Sequence, residues 1–162
     1  MNVYEYVFES VTGARMTLGT WQAQPLLLVN TASRCGFTSQ LAKLQYVYNE
    51  YRESNLMVVA LPCNDFGEQE PGTEREIVSF YWDNYHVTFP ITRKIHTLGL
   101  EMHPLFRALL ETYGSQILPR WNFNKYLFDT KGQLVEHWDS RIEPTDPVIT
   151  HQIERHLRSW VF

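Results

Sequence analysis

Apolar residues along this chain fall into two kinds of run: short continuous blocks, and longer stretches that repeat every three or four positions. PLLLVN at 25–30 and LMVVALPC at 56–63 are continuous blocks, the pattern of strands covered on both faces. Between them TSQLAKLQYVYNEY places Leu41, Leu44, Tyr48 and Tyr51 at helical spacing. Strand, helix and strand in that order predict a right-handed βαβ crossover with two parallel neighbours. Ahead of this unit, VYEYVFES and RMTL alternate around VTGA, with Tyr4, Tyr6 and Phe8 on one face and a turn at Thr12–Gly13. That pattern predicts a β-hairpin.

The second half continues the alternation of elements. PGTEREIVSFYWDNY predicts a helix with a capping box of Thr73 and Glu76 at its start and Ile77, Phe80 and Tyr81 facing inward. HPLFRALLETYG predicts another, closed by Gly114. WNFNKYLFDTKGQLVEHW reads as two strands joined at Lys131–Gly132, so the sheet finishes antiparallel. DPVITHQIERHLRSW predicts a last helix, with Asp146 as N-cap, Pro147 at the first position, and Ile149, Ile153, Leu157 and Trp160 as the buried stripe. The expected fold is α/β: a mixed central sheet flanked on both faces by helices, with an N-terminal β-hairpin. Its crossover loops open at the carboxyl ends of the parallel strands, where open α/β sheets bind ligands.

Composition narrows the range of functions. The 162 residues suit one domain, taken as 1–162, and no repeat, linker or low-complexity stretch divides them. Hydrophobic residues make up 44% and the net charge is −4, with acidic and basic residues interspersed. Without a basic stripe, neither nucleic acid nor an anionic membrane surface is expected as a partner. The longest apolar runs are too short to span a bilayer, and the N-terminus lacks a secretory pattern. A cytoplasmic location is expected, a periplasmic one requiring a leader no longer attached. The two cysteines, Cys35 and Cys63, form neither a C-x-x-C pair nor a disulfide framework, which points to a reducing compartment.

Cys35 sits in NTASRCGFT, between a parallel strand and the helix that follows it. Backbone N–H groups and the dipole at a helix start favour an anion, and a thiolate is one. Gly36 beside it is expected to let the backbone approach without a Cβ in the way. A buried packing role is the plain alternative, since free cysteine is among the most buried residue types.

Two further segments bear on that choice: LPCNDFGEQEPGT at 61–73 and PRWNFNKYLFD at 119–129. Together with VNTASRCGFT they resemble the signature blocks of the glutathione peroxidase family, in the family's order. The likeness runs from about Tyr4 to Leu157. It implies a thioredoxin-like fold and reduction of hydroperoxides by a redox-active cysteine. Cys35 matches the peroxidatic cysteine, Gln69 the glutamine of the Q-E-P-G block, and Trp121 and Asn122 the W-N pair. The chemistry is consistent: a thiolate attacks the outer oxygen of R–O–O–H and becomes a sulfenic acid, while neutral N–H donors steady the charge developing on oxygen. Taken singly, Gln69 also fits a surface turn, Trp121 a core filler and Asn122 a strand end.

The same comparison exposes a departure. Many members regenerate their cysteine through a resolving cysteine in the helix after Q-E-P-G, and Tyr81 stands at that place here. Members also carry a cysteine at the Cys63 position beside their separate resolving one. A Cys35–Cys63 bridge requires the two loops to converge and the Cβ vectors to align. The expected reductant is therefore an external thiol, glutathione or thioredoxin, and no bound cofactor. The stretch SQILP after Gly114 is short where tetrameric members carry an insertion, which implies a monomer open to bulky organic or lipid hydroperoxides.

Two other functions fit the sequence less well. A redox relay would pass the oxidation of Cys35 to a partner protein, and a copper-binding thioredoxin-fold chaperone would require a second thiol near Cys35, which residues 36–40 lack. His151 and His156 are i, i+5 on a helix and do not share a face. His96 and His103 flank a turn with no thiol or carboxylate cluster expected nearby. No metal is expected.

Overall fold

The computed structural model describes residues 1–157. A four-stranded mixed sheet carries the architecture, in the order β4–β3–β5–β6. The central pair, β3 (Leu26–Thr31) and β4 (Met57–Pro62), is parallel, in register from Leu26 opposite Met57 to Thr31 opposite Pro62. Helix α1 (Gln40–Tyr51) connects them, as the apolar pattern requires. β5 (Lys125–Phe128) runs antiparallel to β3, and β6 (Leu134–Trp138) antiparallel to β5. The turn between β5 and β6 places Gly132 at φ +79°, in the left-handed region where glycine is at ease.

Because every residue of β3 is buried, alternate side chains feed two separate cores. On one face Leu27, Val29, Val58, Ala60 and Leu127 pack with α1, with α2 (Glu74–Tyr85) and with α4 (Pro147–His156). On the other, Leu26, Leu28, Val59, Leu61, Tyr126 and Phe128 meet α3 (Pro104–Tyr113) and the N-terminal segment. Leu41, Leu44 and Tyr51 are buried as the spacing predicts, whereas Tyr48 is half-buried and Val47 takes a core place. Ile77 and Tyr81 are buried on α2, and Phe80 is half-buried.

The caps explain where the helices begin. The Thr73–Glu76 capping box is formed, Asp146 accepts the Val148 N–H ahead of Pro147, and Gly114 closes α3. Ile149, Ile153 and Leu157 are buried as expected, while Trp160 lies outside the described residues.

Two expectations shift. The hairpin strands are β1 (Val7–Glu9) and β2 (Arg15–Thr17), joined through Gly13 at φ +88°. Tyr4 is not in a strand but in a single 3₁₀ turn, Val3–Glu5, capped by the Asn2 side chain. Its hydroxyl donates toward the Gln24 carbonyl, and Val3 N–H bonds Gly132, so this segment is pinned to the β5–β6 turn. β5 likewise starts at Lys125, four residues later than the apolar run from Trp121 suggests. Phe123 at φ +62° interrupts extended backbone there.

Candidate active site

Topology brings three loops to one sheet end. Thr31 and Pro62 are paired at the carboxyl ends of the parallel strands, so the loops after them leave side by side. β5 runs the other way, and Val29 pairs with Lys125; the residues just before Lys125 therefore arrive at the same end. Phe123 N–H donates to the Asn30 carbonyl at 2.7 Å, and Asn124 N–H to Asn30 Oδ1 at 2.9 Å.

Cys35 occupies the first of these loops and is partly exposed. Regular helix begins five residues later, at Gln40; turns of the 3₁₀ kind fill the gap, with Thr38 N–H on Cys35 O and Gln40 N–H on Phe37 O. The amide that reaches the sulfur is thus in the turn, not in α1: Phe37 N–H lies 3.3 Å from Cys35 Sγ. Thr38 staples the loop, accepting Cys35 N–H at 2.9 Å and donating to Ala32 O at 2.9 Å. Gly36 is exposed, and a Cβ built on it would meet nothing within 4 Å. Its missing side chain relieves no backbone crowding; it leaves the approach to the adjacent sulfur open.

Gln69, Trp121 and Asn122 come together on the other two loops. Fully buried Asn122 donates from Nδ2 to Gln69 Oε1 at 2.8 Å. With its oxygen engaged, Gln69 presents its N–H₂ end as donor. The Trp121 ring packs edge-on against Phe66, and its Cη2 lies 3.0 Å from where a Cβ on Gly67 would stand. Any side chain at position 67 would push the indole away. Arg34 N–H bonds the Gln69 carbonyl at 3.0 Å, tying the Gln69 loop to the residue before Cys35. Among the described residues the Cys35 sulfur bonds Phe37 N–H and none of these three side chains.

A second layer holds the Trp121–Asn122 loop. Asn30 and Asn124 both donate to the Trp121 carbonyl at 2.9 Å, and the Ser140 hydroxyl bonds the Asn122 carbonyl. Ser140 is itself fixed by Lys125, whose ammonium is fully buried and donates to the carbonyls of Asp139 and Ser140 at 3.2 Å each. Burial pushes this lysine down to about 7 against the pull of Asp139 and Glu143.

A partly exposed thiol on one loop and the Gln69–Trp121–Asn122 cluster on the two neighbouring loops thus share one sheet end. Residues 3–110 match the family model for glutathione peroxidase. The chain belongs to the glutathione peroxidase family. It is 39% identical over 150 residues to the glutathione peroxidase homolog BsaA of Bacillus subtilis, covering 90% of this chain and 93% of that protein. Hydroperoxy fatty acid reductase gpx1 of Synechocystis is 36% identical, with 96% of this chain and 95% of that protein covered. Among solved structures, the apo form of Trgpx superposes with a TM-score of 0.77 at 28% identity, over 96% of this chain and 95% of that one. A thiol-disulfide isomerase of Corynebacterium glutamicum, 14% identical, reaches 0.70 over 98% and 97%, a likeness of thioredoxin-like fold. The protein is accordingly a thiol peroxidase of the oxidoreductase class.

In this family member Tyr81, expected at the place of a resolving cysteine, is engaged from within. Tyr81 is fully buried, its hydroxyl 2.6 Å from Glu70 Oε2 and 2.7 Å from Thr31 Oγ1. Glu70, also fully buried, was not singled out from the sequence, although it stands in the quoted Q-E-P-G block beside Gln69. Burial raises its carboxyl above the ordinary range, and the Ser33 and Tyr81 bonds and the Lys94 charge draw it back. Cys63 is fully buried, with Sγ 3.6 Å from Thr97 Oγ1, and burial pushes its thiol up to about 11. A thiol so buried and so weakly acidic is a poor partner for Cys35.

The histidines divide differently from expectation. His96 does lie among carboxylates, 2.6 Å from Asp65 and 3.6 Å from Glu101, because β4 and the segment after α2 run alongside one another. His103 caps α3: Nδ1 accepts Leu105 N–H at 3.0 Å, and Nε2 lies 2.8 Å from Val7 O. Among the described residues no group of three or more His, Cys, Asp or Glu side chains is placed to hold a metal ion. Beside Trp121 a cleft of about 350 Å³ opens between Phe37, Arg120 and Arg141.

Proposed function

We propose that this protein, acting as one domain and as a monomer, reduces hydrogen peroxide and organic or lipid hydroperoxides through Cys35. The Cys35 thiolate attacks the outer peroxide oxygen; an S–O bond forms, the O–O bond breaks, and R–O⁻ leaves and takes a proton to become the alcohol. Gln69, Trp121 and Asn122 supply neutral N–H groups where negative charge develops. An external thiol, glutathione or thioredoxin, then condenses with the sulfenic acid and releases water. A second thiol breaks the resulting mixed disulfide and returns Cys35 to its reduced form.

The observation that carries the reading is the 2.8 Å bond from Asn122 to Gln69 Oε1, which engages the Gln69 oxygen and leaves its N–H₂ end as donor, on a loop that Arg34 N–H ties to the residue before Cys35. The burial of Cys63 and of Tyr81 favours an external reductant. The cleft beside Trp121 is lined by Phe37, Arg120, Arg141 and Asp139, with Arg141 paired to Asp139 at 3.6 Å, and Arg120 offers an anionic thiol or a carboxylate-bearing hydroperoxide a cationic group there. The name of the Synechocystis relative supports the second of these substrates. A cytoplasmic location accords with two free thiols, and no helix among the described residues is long and apolar enough to cross a membrane. The short 3₁₀ turn Ser115–Ile117 supports the monomer.

The test is a trapping experiment. One equivalent of hydroperoxide followed by dimedone should label Cys35 and leave Cys63 unlabelled by peptide mass spectrometry. Label on Cys63, or none in the wild type, contradicts the reading. The relay alternative draws on the burial of Cys63, which leaves oxidised Cys35 to an outside partner, and differs in predicting stoichiometric oxidation without turnover.

A further inference from the structure

The side chain that replaces the resolving cysteine is built into the site. Tyr81 reaches from α2 into the floor of the two loops that carry Cys35 and Gln69. Its hydroxyl lies 2.6 Å from Glu70 Oε2 and 2.7 Å from Thr31 Oγ1, and the other oxygen of Glu70 accepts Ser33 N–H at 3.1 Å. Around the phenol oxygen the donors and acceptors match one for one, whereas the neighbouring Ser33 hydroxyl is buried without a partner in hydrogen-bond geometry among the described residues. A carboxylate accepts and does not donate, so the phenol proton goes to Glu70, and the Thr31 hydroxyl turns to donate to the phenol oxygen. Glu70 is further fixed by its own N–H on Asn64 Oδ1 at 2.8 Å, and its carbonyl accepts Lys94 Nζ at 3.3 Å.

We propose that Tyr81 is a positioning residue for the reaction at Cys35: through Glu70 it sets the spacing between the Ser33–Cys35 turn and the Gln69 loop. Glu70 is next to Gln69 and Ser33 is two residues from Cys35, so one carboxylate spans both halves of the reacting group. Removing the phenol oxygen leaves a buried carboxylate short of a donor, a costly state that is relieved by movement of the loop. The arrangement also fixes α2. Any displacement of that helix toward Cys35 breaks the bonds to Glu70 and Thr31, so the sulfenic acid meets its reductant on a stationary loop. This inference rests on the peroxidatic role proposed for Cys35.

The experiment compares Cys35 oxidation rates by stopped flow at 25 °C for wild type, Tyr81→Phe, Glu70→Leu, the double variant and Glu70→Gln. Circular dichroism establishes that each is folded at that temperature. Tyr81→Phe is expected to slow oxidation roughly ten- to a hundredfold, as a misplaced reacting group does. Glu70→Leu should slow it comparably, and the double variant should be no slower than the slower single one. Glu70→Gln, which keeps an acceptor for Ser33 N–H and a partner for Tyr81, should recover much of the rate. Should Tyr81→Phe fail to fold, the Glu70→Leu and Glu70→Gln pair carries the same comparison. A lowered melting temperature with wild-type oxidation rates overturns the proposal, as does additive slowing in the double variant. A wild type whose Cys35 does not react with peroxide instead overturns the function on which the proposal depends.

Discussion

Glu68 and Phe123 hold left-handed backbone at φ +53° and +62°, and each adjoins a proposed donor, Gln69 and Asn122. A non-glycine residue in that region costs on the order of 1–3 kcal/mol and persists where surrounding bonds enforce it. Here the Asn30–Asn124 bonds to the 121–124 loop do so. The reward is a preset donor pair. Gln69→Ala removes a donor aimed at developing charge and is expected to slow Cys35 oxidation about 10²–10³-fold. Asn122→Ala frees Gln69 to rotate and should slow it as well, by a smaller factor. Stopped-flow oxidation of the two variants checks both, and wild-type rates in both contradict the assigned donors. Cys63, buried with its thiol raised to about 11, should resist iodoacetamide in the native protein at pH 8. One thiol is expected to be alkylated when folded and two when denatured; two when folded contradicts the packing described.

At the scale of elements, what could be read from the sequence was what local patterns determine. The parallel pair around α1, the Thr73–Glu76 box, the Asp146–Pro147 start and the β5–β6 turn all follow from period and cap within a few residues. The features that escaped depend on long-range partners. Tyr4 leaves the strand because its neighbours bond Gly132, and Trp121–Asn124 is a loop because Asn30 reaches across to it. The same holds within the site: Cys35, Gln69, Trp121 and Asn122 were legible by motif, whereas the Phe37 N–H on sulfur and the Glu70–Tyr81 pair require folded neighbours. His103 is a second such case. As a cap buried against β1 it is held neutral, burial lowering its pKa from the ordinary 6.5 while its Val7 bond partly offsets this. The unfolded chain therefore takes up the proton first as pH falls, and stability present above about 6.5 is lost below it. Denaturant unfolding between pH 7 and 5.5 should show this decline, and His103→Asn, which caps without titrating, should flatten it. Equal pH slopes in the two proteins contradict the assignment.

Over the whole molecule, the sheet delivers three loops to one end, with Cys35 on one and Gln69, Trp121 and Asn122 on the other two. The fold is shared with thiol-disulfide isomerases, so the fold alone does not determine the chemistry. In the proposed mechanism the Gln69, Trp121 and Asn122 donors and the burial of Cys63 make the difference. Cys63 and Tyr81 are both fully buried, which supports the proposal that the cycle is completed by an external thiol. The most direct test is stopped-flow consumption of a hydroperoxide with glutathione, then thioredoxin, as reductant, for wild type and Cys35→Ser. The account predicts repeated turnover by the wild type with at least one of these thiols and none by Cys35→Ser. Oxidation of one equivalent without turnover, or turnover that survives loss of Cys35, contradicts it.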